Sequence, residues 1–349
     1  MTPIIDIIET QRKLVACALP SGFERPQARL LRELAAPYCD EVFTDTLGNV
    51  LCHKRGEGPR VLFCAHMDVI GFMVNYADAR GFLRFEPLGG FTPGMLVGTP
   101  VVSEKGVHGA IFADSESGFS EKSLGGTDIH DLYIDIGAAD RAEALALCPV
   151  GSVFMYDGET RETGNGCMIS PYIDDLGGCV ALLIGMSRVQ KPANDLWFAF
   201  TVQEEVGCRG AKTAAYRVNP AVGFAVDVTD TGDSPEFEKH QRMAVKLGKG
   251  PAVKVMDGSL LCNPQAVEHL RLAAEAGSIP YTDEVLLFGG TDASSIQRTG
   301  EGIPAGGISI PTRAIHSPGE IAKLSDIEAA GRLIAAACER PYTERDYTL

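Results

Sequence analysis

The sequence predicts an α/β protein. One α/β domain is assembled from two chain segments, residues 1–69 and 163–349, and a small β-rich unit, residues 70–162, is inserted between them. Three observations predict it. On both sides of the insert, buried apolar runs alternate with helical patterns, the texture of βαβ units. From about Ile70 to Glu162 that texture gives way to short β-rich runs separated by Gly, Pro and Asp. With 349 residues and 45% apolar content, the chain can bury the cores of both units.

Taken in order, residues 5–17 and 24–36 have the apolar spacing of amphipathic helices. RVLFCAHMD, from Arg60, reads as a short buried strand ending at His66. Within the insert, FLRFEPL, TPVVSEKGVHGAIF, DLYIDIG and SVFMYDG read as strands. MISPYI reads as an apolar strand leading to Asp174 and Asp175. CVALLIGMSRV is helical, and DLWFAFTV and AVGFAVDV are buried strands. NPQAVEHLRLAAEAG is a helix with Asn263 as its N-cap and Pro264 in its first turn. GGISIP is a strand, and LSDIEAAGRLIAAACE is a closing helix.

Charge excludes some functions. The formal net charge is −15 and the isoelectric point about 4.9, so the chain repels phosphate backbones and nucleic acid is not an expected partner. The first residues lack the basic and apolar regions of a signal peptide, and no apolar run is long enough to span a bilayer, so no membrane partner is expected. Ten cysteines are scattered from Cys17 to Cys338 with no CxxC pair, which reads as reduced packing residues in a cytoplasmic protein.

Each buried strand leads to an acid or a histidine: His66 followed by Asp68, then Asp174 and Asp175, Glu204 and Glu205, Asp227, and finally His316. A single Asp in such a place is ordinarily a helix cap or a turn residue. Five strand ends in one sheet, however, converge on the crevice where α/β proteins bind ligands. His53, His108, His130, His240 and His269 have no partner acid at a matching strand end and read as ordinary surface or core residues. Asp174, Glu204, Glu205 and Asp227 in one crevice bring four negative charges, which two divalent cations would balance. Imidazole with carboxylate suits zinc, cobalt or manganese better than calcium or magnesium. The cluster therefore points to a two-metal hydrolase. In TVQEEVGCRG, Glu205 can coordinate a metal while Glu204 stays free to accept a proton, and Gly207 and Gly210 let the backbone turn behind the pair.

HMDVIGFMV, YIDDLGG, TVQEEVGCRGA, AVDVT, GGTDASSIQ and PTRAIHSPGE occur in the order and spacing of a known family. Across essentially its whole length the chain resembles the tetrahedral aminopeptidases, dinuclear metallopeptidases (clan MH, family forty-two) that include glutamyl, leucyl, lysyl and deblocking enzymes. The resemblance implies a mixed-sheet α/β catalytic domain of the zinc aminopeptidase type with a β-barrel-like dimerisation insert. It implies that His66 and Asp227 hold one metal, that Glu205 and His316 hold the other, and that Asp174 bridges both. Glu204 would be the general base. Asp68 would hydrogen-bond the His66 imidazole and fix its tautomer. The Asp174–Asp175 peptide would be cis. Peptides would be the substrates, cleaved by water activated between the metals, and dimers would assemble into a twelve-subunit tetrahedron.

Val69, Leu176 and Ala314 depart from residues common in the family, none at an implied ligand position. They leave open a dinuclear deacylase acting on acylated amino acids or peptides, and a catalytically silent relative. A glycosidase built on Glu204 and Glu205 is disfavoured, because adjacent residues rarely straddle a sugar at the required separation. GGTDASSIQ reads either as a glycine turn before a helix with Asp292 near the cap, or as a loop lining the substrate cleft.

Overall fold

The computed structural model describes residues 5–114, 127–235 and 243–343. The chain opens with helices α1 (Ile7–Val15) and α2 (Arg25–Ala35), somewhat shorter than their sequence patterns. Asp6 starts the first helix later than its pattern, because its carboxylate accepts the Glu9 N–H at 2.9 Å and caps the N-terminus there. Strands β1 (Glu41–Thr44), β2 (Val50–Lys54) and β3 (Arg60–His66) follow. The β1–β2 hairpin has no clear sequence signal, since β1 is a four-residue edge strand with no buried position.

The insert forms a closed barrel of β4 (Gly71–Ala77), β5 (Leu83–Leu88), β6 (Pro100–Ser103), β7 (His108–Ala113), β8 (Leu132–Asp135) and β9 (Val153–Tyr156), in the order β4-β5-β8-β7-β6-β9. Short helices α3 (Pro93–Leu96) and α4 (Arg141–Leu147) lie between its strands. Phe72, Phe85, Val101, Ile111, Ile134 and Phe154 are buried along these strands.

The chain then returns through β10 (Arg161–Thr163), β11 (Cys167–Ser170) and helix α5 (Ile173–Arg188). MISPYI is thus only half a strand: β11 stops at Ser170 before Pro171, and the helix begins at Ile173. After β12 (Asp195–Thr201) come α6 (Arg209–Val218), β13 (Val222–Thr229), β14 (Ala252–Met256), α7 (Pro264–Ala276), β15 (Thr282–Val285), α8 (Asp292–Gln297), β16 (Ala305–Arg313), β17 (Glu320–Lys323) and α9 (Leu324–Glu339). Asn263 caps α7 as its sequence indicates, accepting the Gln265 N–H at 2.9 Å. In the mixed sheet β1-β2-β12-β3-β13-β16-β17-β11-β10, the neighbours β12, β3, β13 and β16 run parallel. β13 is buried throughout and β16 nearly so, which is why they read as unbroken apolar runs.

Helices α5 and α9 pack on each other and on the sheet, while α6 and α8 form a second pair against β12 and β13. The α5–α9 crossing depends on reciprocal glycines. A Cβ on Gly185 would sit 2.5 Å from Ile334, and one on Gly331 would sit 2.4 Å from Ile184. Parallel register then fixes where function can lie. His66 pairs with Thr201, and Asp227 with Ser309, so the carboxyl ends of β3, β12, β13 and β16 share one edge. Among the described residues, no helix is long and apolar enough to cross a membrane.

Candidate active site

At that edge the predicted residues meet. His66 ends β3, Glu204 and Glu205 follow β12, Asp227 lies two residues before the end of β13, and His316 follows β16. Asp174 enters from the start of α5, where the Asp174–Asp175 peptide is cis. Its carboxylate lies between two imidazoles, with Oδ1 3.1 Å from His66 Nε2 and Oδ2 3.2 Å from His316 Nε2. His316 Nε2 is also 3.2 Å from Glu205 Oε2. Donor atoms of His66, Asp174 and Glu205 lie within 4.8 Å of one another, as do those of His66, Asp175 and Asp227.

The turn after β12 holds the two glutamates apart in role. The N–H groups of Gly207 and Cys208 both reach the Glu204 carbonyl at 2.8 Å, reversing the chain immediately behind the pair. Gly207 takes φ +123°, open to glycine and strained for other residues. A Cβ on Gly210 would meet Asn49 Oδ1 at 2.3 Å and the Val202 carbonyl at 2.5 Å.

Three buried carboxylates hold this edge together by accepting backbone N–H groups. Asp68 accepts from Glu204 at 2.9 Å and from Glu205 at 3.2 Å, and also from the Ser21 hydroxyl at 2.6 Å. Asp175 accepts from His66 at 3.1 Å and from Gly178 at 3.0 Å. Glu320, on β17, accepts from Asp174 at 2.9 Å and from His316 at 2.8 Å. Asp175 is therefore close to His66 and Asp227, but both its oxygens are already engaged.

The residues present fit a bound cation. His66 Nδ1 lies 3.1 Å from the Asp68 carbonyl, which can only accept, so the Nδ1 proton is committed there. In the neutral ring Nε2 then turns a lone pair toward the Asp174 carboxylate, an arrangement that needs positive charge between them. Glu205 Oε1 is buried without a hydrogen-bond partner, the state of an oxygen awaiting a ligand. The titration behaviour agrees. Burial opposes the charged forms of His66 and His316, yet neighbouring carboxylates overrule it, raising His66 well above its ordinary pKa and His316 to about 12. Burial lifts Glu204, Glu205 and Asp227, reinforced by the other acids. Asp174 moves down despite burial because His316 and His66 flank it.

A cleft of about 600 Å³ opens over this cluster, a size that suits a small ligand or the end of a peptide. Gly90, Phe91 and Thr92 of the barrel line one part, and Leu286, Phe288 and Ile315 add apolar surface. The profile of the M42 glutamyl aminopeptidases matches residues 48–333.

The chain belongs to the M42 glutamyl aminopeptidase family. It is 32% identical over 339 residues to the lysyl aminopeptidase of Pyrococcus furiosus, covering 95% of this chain and 96% of that protein. Among solved structures it superposes on the aminopeptidase APDkam598 of the archaeon Desulfurococcus kamchatkensis with a TM-score of 0.90, at 36% identity over 95% of this chain and 94% of the other. The TET1 peptidase of Pyrococcus horikoshii, which can assemble into a tetrahedron or a large octahedral shell, superposes with a TM-score of 0.83 at 31% identity, covering 95% and 99%. As an M42 member the chain is an aminopeptidase with the mixed sheet and closed barrel that its sequence indicates.

Within the M42 frame, all the predicted site residues lie at the cleft or directly behind it. Asp68 departs in detail from expectation: its backbone carbonyl makes the closer contact with the imidazole, and its carboxylate stands 3.5 Å from Nδ1 while holding the N–H groups of both glutamates. His53, His108, His130 and His269 lie outside the cleft, and His240 falls outside the described residues. Val69 and Leu176 are fully buried away from the cleft lining. Both readings of GGTDASSIQ hold in part: Gly289, Gly290 and Thr291 line the cleft, and α8 begins at Asp292. Asp292 does not cap that helix; its carboxylate accepts the Thr201 hydroxyl. Sequence reasoning placed Asp175 among the strand-end acids without its role as a holder of backbone, and missed Glu320 and Cys208. The two acids sit inside quoted motifs, but nothing local separates an acid that grips backbone from one that grips a ligand. Cys208 also lies in a quoted motif, but in sequence it reads like the other scattered cysteines.

Proposed function

We propose that this M42 chain is a dinuclear metallo-aminopeptidase that removes N-terminal residues from peptides. The observation that carries the reading is the Asp174 carboxylate set between the Nε2 atoms of two imidazoles, with unpartnered Glu205 Oε1 beside it. His66 and Asp227 would hold one divalent cation, Glu205 and His316 the second, and Asp174 both, the cations being zinc, cobalt or manganese. When bound, they supply Lewis acidity for the scissile carbonyl and lower the pKa of the attacking water.

The chain's own residues do the rest. Glu204 is half-buried at the cleft wall and surrounded by acids, so its carboxylate has a raised proton affinity suited to a general base. It takes a proton from the attacking water and delivers it to the departing amine. Asp68, which grips the Glu204 N–H at 2.9 Å, keeps the base in register with its neighbour Glu205. Phe91, Leu286, Phe288 and Ile315 give the substrate apolar surface and limit water.

The barrel of residues 70–162 serves as the dimerisation domain in this reading. Homo-oligomeric assembly is supported by the likeness to the P. horikoshii TET1 peptidase. The ten unpaired cysteines support a reducing, cytoplasmic setting. Glu204→Gln tests the core of the proposal: turnover of aminoacyl p-nitroanilides should fall by about three orders of magnitude while bound metal, measured by mass spectrometry, stays at wild-type stoichiometry. Loss of one metal equivalent, or retained turnover, would overturn Glu204 as the base.

A further inference from the structure

The carboxylate of Glu204 has a neighbour that the reaction as described does not use. Cys208 lies four residues on, at φ +51° where the chain leaves the turn and enters α6, and its Sγ is 3.0 Å from Glu204 Oε1. Glu204 lines the cleft and Cys208 does not, so the thiol meets the carboxylate from behind. Burial, with the charges of Glu204 and Asp292, keeps the thiol protonated. A protonated thiol beside a carboxylate is a donor, not a nucleophile.

We propose that Cys208 is a positioning residue for the aminopeptidase reaction: its S–H donates to Glu204 Oε1 and fixes the rotamer in which the base faces the cleft. This rests on Glu204 being the general base. The backbone of Glu204 is already tied at both ends, by Asp68 at its N–H and by Gly207 and Cys208 at its carbonyl. The side-chain torsions beyond Cβ are what remain, and the thiol addresses them. A thiol is a weak donor, so it orients the carboxylate without withdrawing much of its basicity, as a stronger donor would.

The test compares Cys208→Ala, Cys208→Ser and Glu204→Gln, each with metals restored, for kcat, KM and metal content. Alanine and serine are chosen because the positive φ disfavours a β-branched replacement. In Cys208→Ala we expect kcat to fall roughly five- to tenfold, the scale of one lost ordinary hydrogen bond from a weak donor, with KM and metal stoichiometry unchanged. Cys208→Ser, which keeps a donor, should restore most of kcat. Wild-type kcat in Cys208→Ala would overturn the proposal. So would a serine variant as slow as the alanine one, because that pattern reports lost packing rather than a lost donor. Glu204→Gln separates the two levels: if it remains active, the base assignment itself fails, whereas an inactive Glu204→Gln beside a fully active Cys208→Ala removes only the role of the thiol.

Discussion

Glu320 offers the sharpest test of how this site is held. It touches no proposed ligand side chain, yet one oxygen accepts the N–H of Asp174 at 2.9 Å and the other that of His316 at 2.8 Å. The residue is 1% exposed, so water cannot replace it. Glu320→Gln keeps the shape and one acceptor. Whichever way the amide settles, its NH₂ faces a buried N–H, and one of the two backbones loses its partner. The lost charge-assisted bond costs about 1.5–3 kcal/mol and the orphaned N–H about 1–3 kcal/mol more. The metal-free variant should therefore unfold roughly 3–5 kcal/mol more easily in a urea titration. Because Asp174 and His316 would both contact the second cation, metal affinity measured by chelator competition should fall by about 10–100-fold, the usual cost of removing a group that orients ligands. Wild-type metal affinity combined with lowered stability would refute the idea that Glu320 positions the two ligands, leaving it as an ordinary buried contact.

Three further outcomes are expected. Lys254, 1% exposed, has its Nζ 3.0 Å from Glu284 and 3.6 Å from Asp257; Lys254→Met strands two buried carboxylates and should cost about 3–5 kcal/mol by denaturant titration, part of it recovered by adding Glu284→Gln. His269 is buried and donates to the Ala337 carbonyl, and burial, aided by Arg340, pushes its pKa down to about 4. Its folded pKa lies below its unfolded one, so its contribution is intact above about pH 6.5 and stability falls as pH drops toward 4, by roughly 3 kcal/mol in all; a wild-type minus His269→Gln difference that does not change with pH refutes this. Dialysis against a chelator leaves Asp174, Glu205 and Asp227 crowded without cations, so melting temperature or particle size should drop, and re-addition of zinc, cobalt or manganese should restore it.

How far the sequence could be read depended on whether the deciding contact was local. The central strands were legible because burial on both faces demands continuous apolar runs, and β3 and β13 then show their acids and histidine abruptly. The short strands were not: β1, β14, β15 and β17 are four or five residues long, too short to show a periodic apolar run. The metal-facing residues could be named because each ends or follows a legible strand. The thiol of Cys208 could not, since its meaning lies in a turn of Gln203 to Arg209 that only the folded backbone displays.

The same distinction explains an error of omission in the charge argument made from sequence. In sequence, four carboxylates, Asp174, Glu204, Glu205 and Asp227, stand against two dications. The structure puts three more buried acids that grip backbone, Asp68, Asp175 and Glu320, at the same edge, with buried Asp292 held by the Thr201 hydroxyl beside them. Two divalent cations cannot neutralise them all. Each of the three that grip backbone, however, accepts two backbone N–H groups, and five of those six belong to His66, Asp174, Glu204, Glu205 and His316. Their charge is met by peptide dipoles rather than by metal. An acid whose lone pairs are taken by amides is a poor ligand, whereas Glu205, whose Oε1 is buried with no hydrogen-bond partner beside two imidazoles and Asp174, keeps a lone pair for a cation. Ligand and holder are thus the same residue type, often adjacent in the chain, as Asp174 and Asp175 are. What divides them is which way the local backbone points its N–H groups. That is why the anionic shell and the metal-binding core should fail together when a holder such as Glu320 loses one of its two acceptor oxygens.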